Sequence, residues 1–87
     1  MSITPAQCRA ARALLEVDQA SLAEAANVSR NTVIAFEKGQ RVPNANNLLA
    51  IQAALENMGV EFVLYENGAE GVAWRPIEEE ERESVPY

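Results

Sequence analysis

Residues 19–39 read Gln19-Ala20-Ser21-Leu22-Ala23-Glu24-Ala25-Ala26-Asn27-Val28-Ser29-Arg30-Asn31-Thr32-Val33-Ile34-Ala35-Phe36-Glu37-Lys38-Gly39. The stretch divides into two short helices about a turn. Asp18 stands before the first as a capping oxygen, and Val17 ahead of it meets Leu22, four residues into the helix, as a hydrophobic staple. Val28, Ser29 and Val33 repeat the arrangement for the second helix. Asn27 tolerates the left-handed backbone that a tight turn after Ala26 needs, and Gly39 supplies the same at the end of the second helix. Ala23 is small where the two helices must cross closely. Leu22, Val28, Val33 and Phe36 seal the motif and belong to a core. Arg30, Asn31 and Thr32 do not: they are polar and gathered at the exposed start of one helix.

Outward from this stretch the same grammar holds. Thr4-Pro5-Ala6-Gln7 is a capping box with proline at the first helical position, and Ile3 and Cys8 sit where a staple closes over it. Pro43-Asn44 opens a further helix with the apolar stripe Leu48, Ile51, Leu55 and Met58, stopped by Gly59. Helices are expected over 5–15, 19–26, 30–38 and 45–58. After Gly59 the period changes. Val60-Glu61-Phe62-Val63-Leu64-Tyr65 and Val72-Ala73-Trp74-Arg75 read as strands, joined through the turn-forming Glu66-Asn67-Gly68-Ala69-Glu70-Gly71. The fold class is mainly α: a helical domain over 1–59, a β-hairpin over 60–76 and an acidic tail over 77–87. Five glutamates fall among Glu78–Glu83, a run that reads first as a solvated tail.

Inventory removes most chemistry. The 87 residues include no histidine and one cysteine, Cys8, so neither a metal-ligand cluster nor a Ser/His/Asp or Cys/His arrangement can be assembled. No Gly-rich phosphate loop is present, the glutamates form a run rather than a pair in an apolar pocket, and no catalytic residue, cofactor or metal is expected. A single cysteine fits a reducing cytoplasm. No apolar stretch reaches the ~20 residues of a membrane span, and the N-terminus lacks a signal pattern, so the expected location is cytoplasmic (bacterial cytoplasm or nucleoid).

The net charge of −6, from seven basic and thirteen acidic residues, argues at first against nucleic acid. Its distribution reverses that. Residues 1–58 hold five basic residues (Arg9, Arg12, Arg30, Lys38, Arg41) against five acidic ones, whereas residues 59–87 hold two against eight. The excess negative charge lies entirely in the last third.

Residues 4–58 closely resemble the Cro/phage-repressor family of helix-turn-helix proteins, also called the xenobiotic response element (XRE) family. The resemblance is carried by Gln19, Leu22-Ala23, the small residues before the turn, Val28-Ser29, the Glu37-Lys38-Gly39 close of the second helix, then Arg41-Val42-Pro43 and Leu48 to Leu55. The family usually has glycine where this chain has Asn27. The resemblance implies a transcriptional regulator that places its second helix in the DNA major groove, with no enzymatic activity. Arg30 suits guanine and Asn31 adenine. Thr32 starts the same helix, and Ile34 and Ala35 face DNA one turn on. Ile34 meets either a thymine methyl or a neighbouring helix. Phosphate contacts are expected from Gln19, Ser29, Lys38, Gln40, Arg41 and Asn44; for Lys38 and Arg41 the alternative is an ordinary solvated charge. By resemblance, Arg12 pairs with Glu37 to tie the first helix to the recognition helix.

One motif with so few basic groups binds DNA weakly, so a homodimer on a pseudo-palindromic operator is expected, acting as a repressor. An isolated hairpin is marginal in water and its edges invite a second copy. Phe62, Val63, Leu64, Tyr65 and Trp74 are the candidate interface. The alternatives are a hairpin packed only on its own bundle with Trp74 in the core, and an antitoxin-like module whose acidic C-terminal region holds a protein partner. A further expectation is that the tail competes with DNA for the basic face, with Tyr87 as its anchor.

Overall fold

The computed structural model describes residues 2–75. Thr4 starts α1 (Pro5–Leu15): its hydroxyl accepts the Gln7 amide at 3.1 Å while Gln7 Oε1 accepts the Thr4 amide at 3.0 Å, which closes the capping box. Asp18, Ser29 and Asn44 cap α2 (Gln19–Ala26), α3 (Arg30–Glu37) and α4 (Ala45–Met58) by accepting the amides of Ser21, Thr32 and Asn47. Each such cap stabilises its helix by about 1 kcal/mol. The staple residues Ile3, Cys8, Leu22 and Val33 are all buried.

The helix ends differ in detail from expectation. Asn27 is left-handed at φ 57°, and so is Glu16 at φ 56°, a residue with no obvious signal for that conformation. The reason lies in its successor: the Val17 amide turns back to the Arg12 carbonyl at 3.0 Å, which brings Val17 inward against the core. Lys38 is the cap of α3 rather than its last residue. Gly39 follows at φ 73°, and the Gln40 amide returns to the Ala35 carbonyl at 2.9 Å.

Phe36, Leu22, Ile51 and Leu55 are the largest fully buried side chains, contributed by α2, α3 and α4 around one centre. Strands β1 (Val60–Leu64) and β2 (Glu70–Trp74) pair antiparallel, from Val60 opposite Trp74 to Leu64 opposite Glu70. Glu70 and Gly71, expected in the turn, belong to β2. The loop is shorter because Gly68 is left-handed (φ 88°): its amide bonds the Tyr65 carbonyl at 2.9 Å and the Tyr65 amide bonds Ala69 at 2.8 Å. Gly71 pairs directly with Val63 in the ladder, and an added Cβ there would meet the Val63 and Tyr65 side chains at ordinary contact distances, 3.4 and 3.7 Å.

The hairpin rests on the bundle by one face. Val60 is wholly buried, and Phe62 and Val72 pack against the core. Trp74 is 60% exposed, so it is not a core residue. Arg75 fastens the base of the hairpin, its main-chain amide bonded to the Gly59 carbonyl and its guanidinium to the Glu56 carbonyl at the end of α4. The acidic run, Tyr87 and the end of the 60–76 segment lie outside the described residues. Among those described, no helix is long and apolar enough to cross a membrane.

Candidate nucleic-acid interface

Helix α3 has two unlike sides. Val33, Phe36 and Glu37 are buried, whereas Arg30 and Asn31 are exposed and Thr32, Ile34 and Ala35 are half-buried. Ser29 caps the helix with its hydroxyl, 2.8 Å from that of Thr32. Beyond the helix, Lys38, Gln40, Arg41 and Asn44 are exposed. A concave notch lies between α3 and the segment leading into α4, lined by Ser29, Asn31, Thr32, Ala35, Arg41, Val42, Pro43, Asn44 and Asn47. Six of the residues singled out in the sequence therefore converge on one notch from two segments of chain. Gln19, Arg30, Ile34, Lys38 and Gln40 lie outside its lining, Arg30 at the exposed end of the same helix. Val42, 75% exposed, Pro43 and Asn47 complete the lining without being among the expected contacts. A valine in a loop and an asparagine inside a helix carry no signal until the chain has folded around the notch.

The charge of this region resolves the paradox of an acidic DNA-binding candidate. Between Ser29 and Asn47 the ionisable residues are Arg30, Glu37, Lys38 and Arg41, and Glu37 is buried. Every exposed charge on the segment is positive.

Glu37 is the junction of three helices. Its Oε1 accepts from Arg12 Nη2 at 2.7 Å and from Gln19 Nε2 at 2.9 Å; its Oε2 accepts from Arg12 Nε at 2.7 Å and from Cys8 Sγ at 3.1 Å. Arg12 also donates to the Val17 carbonyl, and Arg9 to the carbonyl of Glu37 itself. Arg9 lies three residues before Arg12 on α1, so its presence on the same side was readable from helical spacing. Gln19 thus has one Nε2 hydrogen engaged with Glu37, while the other and its main-chain amide have no partner among the described residues.

Burial alone would raise the Glu37 carboxyl, but the hydrogen bonds from Arg12, Cys8 and Gln19 outweigh it and hold it below the ordinary value of 4.5. Burial first, then the bond to Glu37, pushes the Cys8 thiol far above its usual range, so it stays a protonated donor. A carboxyl whose folded value is depressed contributes stability above its unfolded value, and that contribution disappears as pH falls through the folded value. The stability gap between wild-type protein and Glu37→Gln should therefore be full above about pH 5 and close progressively below 4.5. Urea unfolding of both proteins across that window measures it; a gap that is constant with pH contradicts the assignment.

Helix α3 packs on α2 behind left-handed Asn27, its polar start open to solvent and its far end held to α1. The helix-turn-helix family model matches residues 9–57, more than half of the chain, from within α1 to the last turn of α4. The chain belongs to the helix-turn-helix family. Within it the match is to the Cro-like, XRE type, and the protein is a DNA-binding transcription regulator of that type. No curated protein matches the chain. The hairpin of this regulator lies beyond the matched residues.

Proposed function

We propose that the regulator is a repressor that binds a pseudo-palindromic operator as a homodimer, with α3 of each copy in the major groove. The observation that carries this is the all-positive exposed charge from Ser29 to Asn47, set around the open start of α3. Arg30 bonds bidentately to guanine and Asn31 to adenine, while Thr32, Ile34 and Ala35 contact base edges and methyl groups. Gln19, Ser29, Lys38, Gln40, Arg41 and Asn44 hold the flanking phosphates, and the strand they grip passes over Val42 and Asn47. A dimer seated on its operator in the cytoplasm excludes polymerase without further chemistry.

The hairpin supports the dimer. Leu64, Tyr65 and Trp74 are 54%, 56% and 60% exposed on it. The cross-strand bonds Arg75 to Gly59 and Tyr65 to Ala69 place the inward main-chain groups at odd positions of β1 and β2. By alternation, those of Phe62, Leu64, Val72 and Trp74 point outward, without a partner among the described residues. Such an edge fits a second copy of itself.

Substituting Arg30 or Asn31 by alanine should cost about 1–3 kcal/mol on the preferred site and relax selection at one base pair. Lys38→Ala should weaken binding to all sequences alike. Selection from random DNA followed by titration at fixed salt measures both. An Arg30→Ala protein with unchanged affinity and preference would remove α3 from the groove.

A further inference from the structure

Helix α1 carries a polar clamp toward each functional part of the regulator. Toward α3 it holds Glu37 through Arg12 and Arg9. Toward the hairpin it holds the backbone through Gln7, a polar residue only 4% exposed. Gln7 Oε1 faces Thr4, and Nε2 donates to the Gly71 carbonyl at 2.9 Å and the Val63 carbonyl at 3.5 Å. Val63 and Gly71 stand directly opposite each other, so one amide grips both strands at the same rung. Gln7 and Arg12 are five residues apart, about 7.5 Å along the helix.

We infer that Gln7 is a positioning residue that sets the angle between the hairpin and the recognition helix, and thereby the half-site spacing the dimer accepts, which rests on the dimer reading above. Beyond the Arg75 bond to the Glu56 carbonyl at the hairpin's base, Val60, Phe62 and Val72 keep the hairpin on the bundle, and their apolar contact is non-directional and permits rocking about that base. The bonds from Nε2 are directional, and their acceptors belong to the hairpin backbone. In a two-fold dimer joined at the hairpins, any rocking of one copy moves its α3 relative to the partner's.

Gln7→Glu separates this role from helix capping. Glutamate at the same position closes a capping box and suits the positive end of a helix. Ionised, it cannot donate, and its oxygen would face the carbonyls of Val63 and Gly71.

The test uses the full chain and an operator obtained by selection from random DNA, remade with the half-sites moved apart or together by single base pairs. Each base pair rotates one half-site by about 34° relative to the other. Wild-type protein should bind one spacing at least tenfold better than its neighbours, roughly one base pair's worth of discrimination. Gln7→Glu should remain dimeric in sedimentation and bind the neighbouring spacings within about threefold of the best, a residual difference below one mismatch. Uniform weakening at every spacing, or an unchanged preference, overturns the inference. A monomeric wild-type protein without spacing preference overturns it through the dimer reading instead, and the wild type alone reveals that case. Should Gln7→Glu fail to fold, hydrogen exchange of the wild-type Gln7 side-chain amide decides: protection is expected, and exchange at the rate of free glutamine overturns the clamp.

Discussion

Replacing Glu37 by alanine should lower the unfolding free energy by about 3–5 kcal/mol, the cost of stranding a buried charge. The Arg12 side chain is only 20% exposed, and its guanidinium would keep just the Val17 carbonyl as partner. Gln19 and Cys8 would lose their acceptor as well. Domains of this size have total stabilities of about 5–15 kcal/mol, so the variant should approach unfolding at ambient temperature. Arg12→Ala should cost a similar amount, and the double variant much less than the sum, because each removes the same interaction. Denaturant titration of the three proteins gives the cycle. A loss below about 1 kcal/mol would place the pair among exposed ion pairs of little consequence. DNA binding should fall with stability rather than ahead of it, since the pair holds the recognition helix from behind.

The double variant Leu64→Gln/Trp74→Gln should keep the monomer's fold and lose about a hundredfold or more in operator affinity. Both side chains are more than half exposed in the single chain, so polar replacements take nothing from its core. If the hairpins join two copies, the same replacements bury amides in an apolar interface and favour the monomer. A monomer engages one half-site and forfeits the effective concentration that the second provides. Sedimentation and operator titration should change together. A double variant that sediments as the wild type does, with affinity intact, would move the interface elsewhere. Truncation at Gly59 is the poorer test, because it removes Val60 from the core together with the Arg75 cap on α4.

Much of the helical domain was legible because its signals are short-ranged. A cap and its staple involve residues three to five apart, so Thr4 with Gln7, Asp18 with Ser21, Ser29 with Thr32 and Asn44 with Asn47 could be paired on the page. Glu16 carries no local signal, because its left-handed turn is dictated by where Val17 must go. Gly71 is not legible locally because a glycine next to a turn reads as part of it until its pairing with Val63 is known.

The amino-acid sequence by itself determined the four helices, their order, and which end of α3 carries the polar residues. These follow from periodicity and capping, which operate within a turn or two of helix. Only the tertiary structure decided which residues from distant segments share a surface. It turned Gln7 from a capping residue into a clamp on carbonyls 56 and 64 positions away, and made Cys8 a donor to a carboxylate 29 positions on. It brought Val42 and Asn47 to the notch beside α3 and left Trp74 in solvent. Hydrogen bonds and apolar contacts across such separations form only when the whole chain closes around one core, and no local pattern encodes them.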